Sequence, residues 1–167
     1  GMMIDRCQFA SNESPLRSQD RSSIGFNANA NDLKIRDNRA MHFRHFAVMG
    51  GAGNLITGNH WFQGDNETAG LRLAGLILAG TEVKTAVVGN YVDNSFIEWT
   101  NEYESDPAFS NQYSFGGLTV TGNSFTANDV APWFRWFVIK PFGAGHFIQG
   151  LNLSGNTFKA LNGAVDR

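Results

Sequence analysis

With Cys7 as its one cysteine, the chain has no internal disulfide, and any core it builds is held without covalent cross-links. Charge is scarce as well. Only 17% of the 167 residues are Asp, Glu, Lys or Arg, and 15 acids stand against 13 bases, so the basic surface that a nucleic-acid partner needs is missing. Long apolar runs are missing too: the longest, LAGLILAG at 73–80, falls far short of the roughly twenty residues of a membrane span. The start carries no basic segment followed by an apolar stretch, so no secretory signal is expected within these residues. Gly1 before Met2 reads as an expression scar, consistent with an upstream signal or domain having been cut away. A glycine-rich phosphate loop is also lacking, because GGAGN at 50–54 has no lysine after it and opens a strand rather than a helix.

What the sequence has in abundance is glycine, asparagine and a 42% share of hydrophobic residues, the composition of a turn-rich all-β protein with a substantial core. One mark recurs: Gly-Asn, followed after one residue by an apolar side chain. It stands in LITGNHW at 55–61, AVVGNYV at 86–92, LTVTGNSF at 118–125 and LNLSGNTF at 151–158. Two degenerate copies extend the series, LKIRDNRA at 33–40 and MIDRCQF at 3–9, where Asp37 and Arg6 replace the glycine and Cys7 replaces the asparagine. The stations are thus Cys7, Asn38, Asn59, Asn90, Asn123 and Asn156, separated by 31, 21, 31, 33 and 33 residues. A period of that length belongs to a solenoid, in which each repeat touches only its neighbours.

The physics of the unit follows from its residues. Leu118 and Val120 alternate with Thr119 and Thr121, so one face of a short strand is apolar and the other polar. Gly-Asn then makes a sharp bend, since glycine takes positive φ without strain and asparagine tolerates it better than most. The chain re-enters a second strand with Phe125 inward. Stacked coils would bring the asparagines above one another, where each amide pairs with the next; Cys7 is expected to fill the same slot as a small, buried and inert thiol. Strand-like runs between the marks, at 22–27, 41–48, 71–78, 95–100 and 132–140, are expected to supply a third face.

These marks, with asparagine at one turn, resemble those of the right-handed parallel β-helix superfamily, the pectin-lyase-like fold. The resemblance covers nearly the whole chain and implies an all-β, single-stranded right-handed parallel β-helix of about six coils with an asparagine ladder, residues 1–167 forming one domain. Marks near both ends leave no obvious cap, which suggests a piece of a longer bacterial or phage protein, or capping by flanking domains or by homo-oligomerisation. The fold favours an extracellular, cell-surface or virion-surface location. It also implies a polysaccharide partner, bound along one sheet.

Two sequence features fit that expectation. From Lys84 to Arg135 no other Lys or Arg occurs, yet Asp93, Glu98, Glu102, Glu104, Asp106 and Asp129 do, several of them around the loop at 101–112. Glu98, Glu102, Asp106 and Asp129 are candidates for acid and base on a glycosidic bond, with Arg135 as a lyase-like base and Ca²⁺ as a cofactor in that case. A solvated acidic loop is the simpler reading. The second feature is aromatic: Trp99 beside Glu98, and Trp133 and Trp136 bracketing Arg135, could stack on sugar rings with Arg135 gripping a carboxylate. Half of such rings must face inward, and no Gly-Asn mark pins the register of 132–140. His42 and His45, three apart, would point to opposite faces of a strand and make a poor metal pair, and His60 is placed to cap the turn at Asn59; at least three of these and His146 read as structural. The N-T-D, D-D and G-H-G signatures of the superfamily's hydrolases are missing, with GNH at 58–60 and GHF at 145–147 the nearest strings. The sequence therefore favours a carbohydrate-binding or surface module, with a polysaccharide lyase or glycoside hydrolase as the alternative and a structural shaft as a third reading.

Overall fold

A computed structural model describes residues 1–10, 22–26, 30–43, 45–62, 76–79, 84–100, 113–128, 134–140 and 146–160. Among them there is no helix. Strands β1 (Met2–Asp5), β4 (Leu33–Arg36), β7 (Ala52–Thr57), β10 (Lys84–Val88), β13 (Tyr113–Thr121) and β16 (His146–Ser154) form a first sheet. Strands β2 (Gln8–Ala10), β5 (Arg39–Met41), β8 (His60–Phe62), β11 (Tyr91–Asp93), β14 (Ser124–Ala127) and β17 (Thr157–Ala160) form a second. The third contains β3 (Ser22–Gly25), β6 (His45–Met49), β9 (Leu76–Ala79), β12 (Ile97–Thr100) and β15 (Phe137–Lys140).

Every pairing is parallel, and each strand pairs with those three places before and after it in the chain. The chain therefore visits the three sheets in turn and stacks each circuit on the last, an arrangement consistent with a solenoid. Alternation explains the strands: β4 reads Leu33 and Ile35 buried, Lys34 and Arg36 exposed. Ile35, Ile56, Val87 and Val120 line up as one inward file, all at most 1% exposed. Across the interior, Phe46 stacks on Trp61 with ring centroids 4.8 Å apart. Two inward places of the first sheet hold polar residues, Asn54 and Thr85; the Asn54 amide is satisfied, accepting from Leu33 N–H at 2.9 Å and donating to Gly50 C=O at 2.8 Å.

The bend between the first two sheets is the same in every circuit. Arg6, Asp37, Gly58, Gly89, Gly122 and Gly155 all have positive φ, from 52° to 66°. At Gly89 nothing lies within 4 Å of where a Cβ would stand, so conformation alone calls for glycine there. Arg6 and Asp37 adopt the same conformation at a local cost of about 1–2 kcal/mol. Asparagines 38, 59, 90 and 123 follow, at most 2% exposed. Each donates from its backbone N–H and its Nδ2 to the Oδ1 of the next station, at 2.9–3.0 Å, from Asn38 as far as Asn156. The second Nδ2 proton goes to a carbonyl of the preceding circuit, as from Asn59 to Ile35 at 2.9 Å and from Asn90 to Ile56 at 3.0 Å. The full capacity of these amides is used.

Cys7 corrects the sequence expectation. Its N–H joins the file, donating to Asn38 Oδ1 at 2.9 Å, but the residue is exposed and its thiol lies 3.4 Å from Asp5 C=O. The thiol is open to solvent.

The five runs between the marks supply the third sheet, and its environment differs from the other two. Ile97, Glu98 and Trp99 are consecutive in β12 and all at most 1% exposed. Neighbours on a strand point to opposite sides, so both faces of β12 are covered. The facing of the start of 134–140 is also fixed: Phe134 and Trp136 are buried while Arg135 between them is exposed.

Candidate functional site on the outward face of the second sheet

Most strands of the second sheet are only three residues long, and the middle residue faces in: Ala40, Trp61, Val92 and Phe125. Its flanking neighbours must therefore face out. Strand register then sorts them into two files. One runs Arg39, His60, Tyr91, Ser124, Thr157, and the other Met41, Phe62, Asp93, Thr126, Lys159. Successive members stand one strand spacing apart, roughly 4.8 Å.

The centre of this face is chemically dense. His60 and Tyr91 meet edge-to-face, centroids 4.8 Å apart, and Tyr91 remains 40% exposed. Asp93 Oδ1 accepts from the Thr126 hydroxyl at 3.0 Å, while Oδ2 lies 3.9 Å from His60 Nε2. His42, at φ 63°, turns the chain out of β5 and sets its ring edge-on against Phe62, centroids 5.4 Å apart. Arg39 is exposed and forms no ion pair with any described residue. Flat rings, a cation, a carboxylate and hydroxyls thus share one open surface. These are the groups that recognise a polyhydroxylated ligand, through ring stacking and hydrogen bonds to its hydroxyls.

The residues singled out in the sequence go elsewhere. Trp99 is 0% exposed and Trp136 9%, so neither ring is open to a sugar, both belonging to the buried cluster. Trp136 contacts Phe125 and Phe158 there. The contact-surface role expected of Trp99 and Trp136 is corrected on that ground. Glu98 is 1% exposed, sealed in the doubly covered β12, which removes it from any solvent-facing acid–base pair. Arg135 is exposed and folds back, Nη1 donating to Phe134 C=O at 2.7 Å. Trp133, Glu102, Asp106 and Asp129 lie outside the described residues. The described residues therefore assemble no pair from the expected catalytic set. No group of three or more His, Cys, Asp or Glu among them is arranged to hold a metal ion.

Among the histidines, His42 and His45 are parted by a bend rather than by strand alternation: His42 sits at the corner and His45 is buried at the start of β6. His60 opens β8 and faces Tyr91 and Asp93. The signal for this site was in the sequence. Each asparagine is followed by an outward, an inward and an outward residue, and NHWF and NYVD carry His60, Phe62, Tyr91 and Asp93 in the outward places. Following only the apolar residue of each mark hides them.

At the corner beside this face, Asp5 accepts from Arg36 Nη2 and Arg6 Nε, both at 3.1 Å. The Arg36 hydrogen bond, helped by the charges of Arg36 and Arg6, holds the Asp5 carboxyl below the usual carboxylate range.

No protein-family model, no curated protein and no solved structure matches this chain. No helix among the described residues is long and apolar enough to cross a membrane.

Proposed function

We propose that this chain is a β-helical carbohydrate-binding module, a surface element of a larger protein, and that it holds a polysaccharide on the outward face of its second sheet. In this reading the coils form a right-handed parallel β-helix of about six turns like that of the pectin-lyase-like proteins, and the linked asparagines are its ladder. The observation that carries the reading is the outward file Arg39, His60, Tyr91, flanked by Phe62 and Asp93. Tyr91 offers a ring to a sugar face, Asp93 and His60 bind its hydroxyls, and Arg39 extends the contact along the coil axis. The files cross successive strands, so the polymer lies along the axis.

The test is to incubate the protein with neutral and acidic polysaccharides, with and without Ca²⁺, and to follow polymer mass by size-exclusion light scattering. Co-elution with one polymer at constant mass, lost in Tyr91→Ala, is the expected result. Falling polymer mass would make the protein an enzyme instead. Neither co-elution nor a change of mass with any polymer would leave a structural shaft.

A further inference from the structure

We propose that the open edge of β16 and β17 is built to take one more β-coil, one that brings a side-chain oxygen to the asparagine station, and that Cys7 bars a second copy of this chain from serving as that coil. The inference is independent of what the second sheet binds.

The last two strands keep the inward pattern of the strands before them. Leu151 and Leu153 continue the files of Leu118 and Val120, and Phe158 stacks on Phe125 with ring centroids 4.9 Å apart. Yet Leu153 is 48% exposed and Phe158 51%, since no described strand pairs with the far side of β16 or β17. Between these two apolar places stands Asn156. Its Oδ1 accepts from the N–H and Nδ2 of Asn123, and one of its Nδ2 protons goes to Val120 C=O at 2.9 Å. Its own N–H and its other Nδ2 proton meet no acceptor among the described residues. At Asn38, Asn59, Asn90 and Asn123 the same two donors converge on one oxygen, the Oδ1 of the next station, at 2.9–3.0 Å. The pair at Asn156 is set for one more such oxygen, with apolar surface on either side of it. That chemistry defines the occupant: a parallel coil with apolar residues in its inward places and an asparagine at its corner.

A second copy meets every demand but one. At its opposite end Met2, Ile4 and Phe9 hold the inward places, in register with Leu33, Ile35 and Ala40, and head-to-tail stacking would lay them over Leu151, Leu153 and Phe158. Over Asn156 it would lay Cys7. A thiol is a weak acceptor, and this one directs its hydrogen at Asp5 C=O. Stacking would then shut two donors away from water with nothing to receive them, which weakens the contact by roughly tenfold for each.

The experiment is sedimentation velocity over a wide concentration range, under reducing conditions, for the unaltered protein, Cys7→Ala and Cys7→Asn. Cys7 is exposed, so neither substitution disturbs the interior, and a melting curve for each variant checks this. The unaltered protein and Cys7→Ala should remain monomers, while Cys7→Asn should assemble end to end with an affinity on the order of a hundredfold higher. Adding Phe158→Asp, or Met2→Asp from the other end, should return Cys7→Asn to a monomer. Cys7→Asn no more associated than Cys7→Ala would overturn the proposal, and so would an unaltered protein that assembles as readily as Cys7→Asn. Assemblies of Cys7→Asn that survive both aspartate substitutions would place the contact elsewhere and sink it as well.

Discussion

The outward faces of the first and second sheets are built by one rule from the same circuits, yet the middle circuits fill them differently. On β7, β10 and β13 the first sheet presents Leu55, Thr57, Ala86, Val88, Thr119 and Thr121, small or aliphatic, and its charges stand apart, Lys84 at the start of β10 and Asp5, Lys34 and Arg36 on the strands before β7. On β8 and β11 the second presents His60, Phe62, Tyr91 and Asp93, with Arg39 one strand before. Neither face contributes to the interior, which both share through the buried asparagines and the inward aliphatic files. Fold demands thus dictate the inward residues on every strand and leave the outward ones open. The rings, cation and carboxylate that collect in those open places are the ones the proposed binding would use.

The comparison breaks most completely when the shared interior is removed. Asn90→Ala takes away an acceptor for Asn59 N–H and Nδ2 and a donor to Asn123 and Ile56, all buried. At about 1–3 kcal/mol for each stranded group, with some relaxation, we expect a loss of about 4 kcal/mol in urea denaturation and the collapse of both faces together. Tyr91→Ala should separate the faces. Its exposed ring adds little to stability, so the melting temperature should stay close to the parent while polysaccharide affinity drops by roughly tenfold or more, as for an aromatic anchor.

Gly89→Ala sharpens the comparison from the backbone side. The space is open, so only the positive φ of 66° is penalised, and denaturation should report about 1 kcal/mol of destabilisation with binding kept. The smallest stability change belongs to the blank face, where Thr119→Val should stay within about 0.5 kcal/mol and leave retention unaltered. Acid tests the corner that joins the faces. Because the arginines depress the Asp5 carboxyl in the folded state, its contribution is present above the ordinary carboxylate range and is lost as pH falls through the depressed value. Asp5→Asn should therefore flatten that part of the acid limb in a pH series of melting temperatures, and it should do so without changing stability at the acid extreme.

The corners were legible because one backbone conformation recurs and selects the same residue pair each time. Gly58, Gly89, Gly122 and Gly155 with their asparagines announce it, and even Asp37 and Arg6 could be placed by spacing alone. Third-sheet strands were legible as apolar runs. Their facing was not, since no positive-φ mark fixes the register of Phe134, Arg135 and Trp136. Alternation also misleads at Glu98 and Trp99, where one neighbour should face solvent and neither does, because a strand's pattern does not reveal what covers its outer side. Cys7 was misplaced for a related reason: the station fixes its backbone N–H bond to Asn38 and leaves the burial of its thiol undetermined. The outward cluster of the second sheet was present in the letters and needed only the register of neighbouring strands to become a surface.

The most direct test of that surface is an amide chemical-shift map recorded while the retained polysaccharide is titrated in. Shifts concentrated at Arg39, His60, Tyr91 and Asp93, with Leu55, Ala86 and Thr119 unmoved, are the predicted result. Shifts centred on the first sheet instead, with the second silent, would contradict the assignment of the binding face.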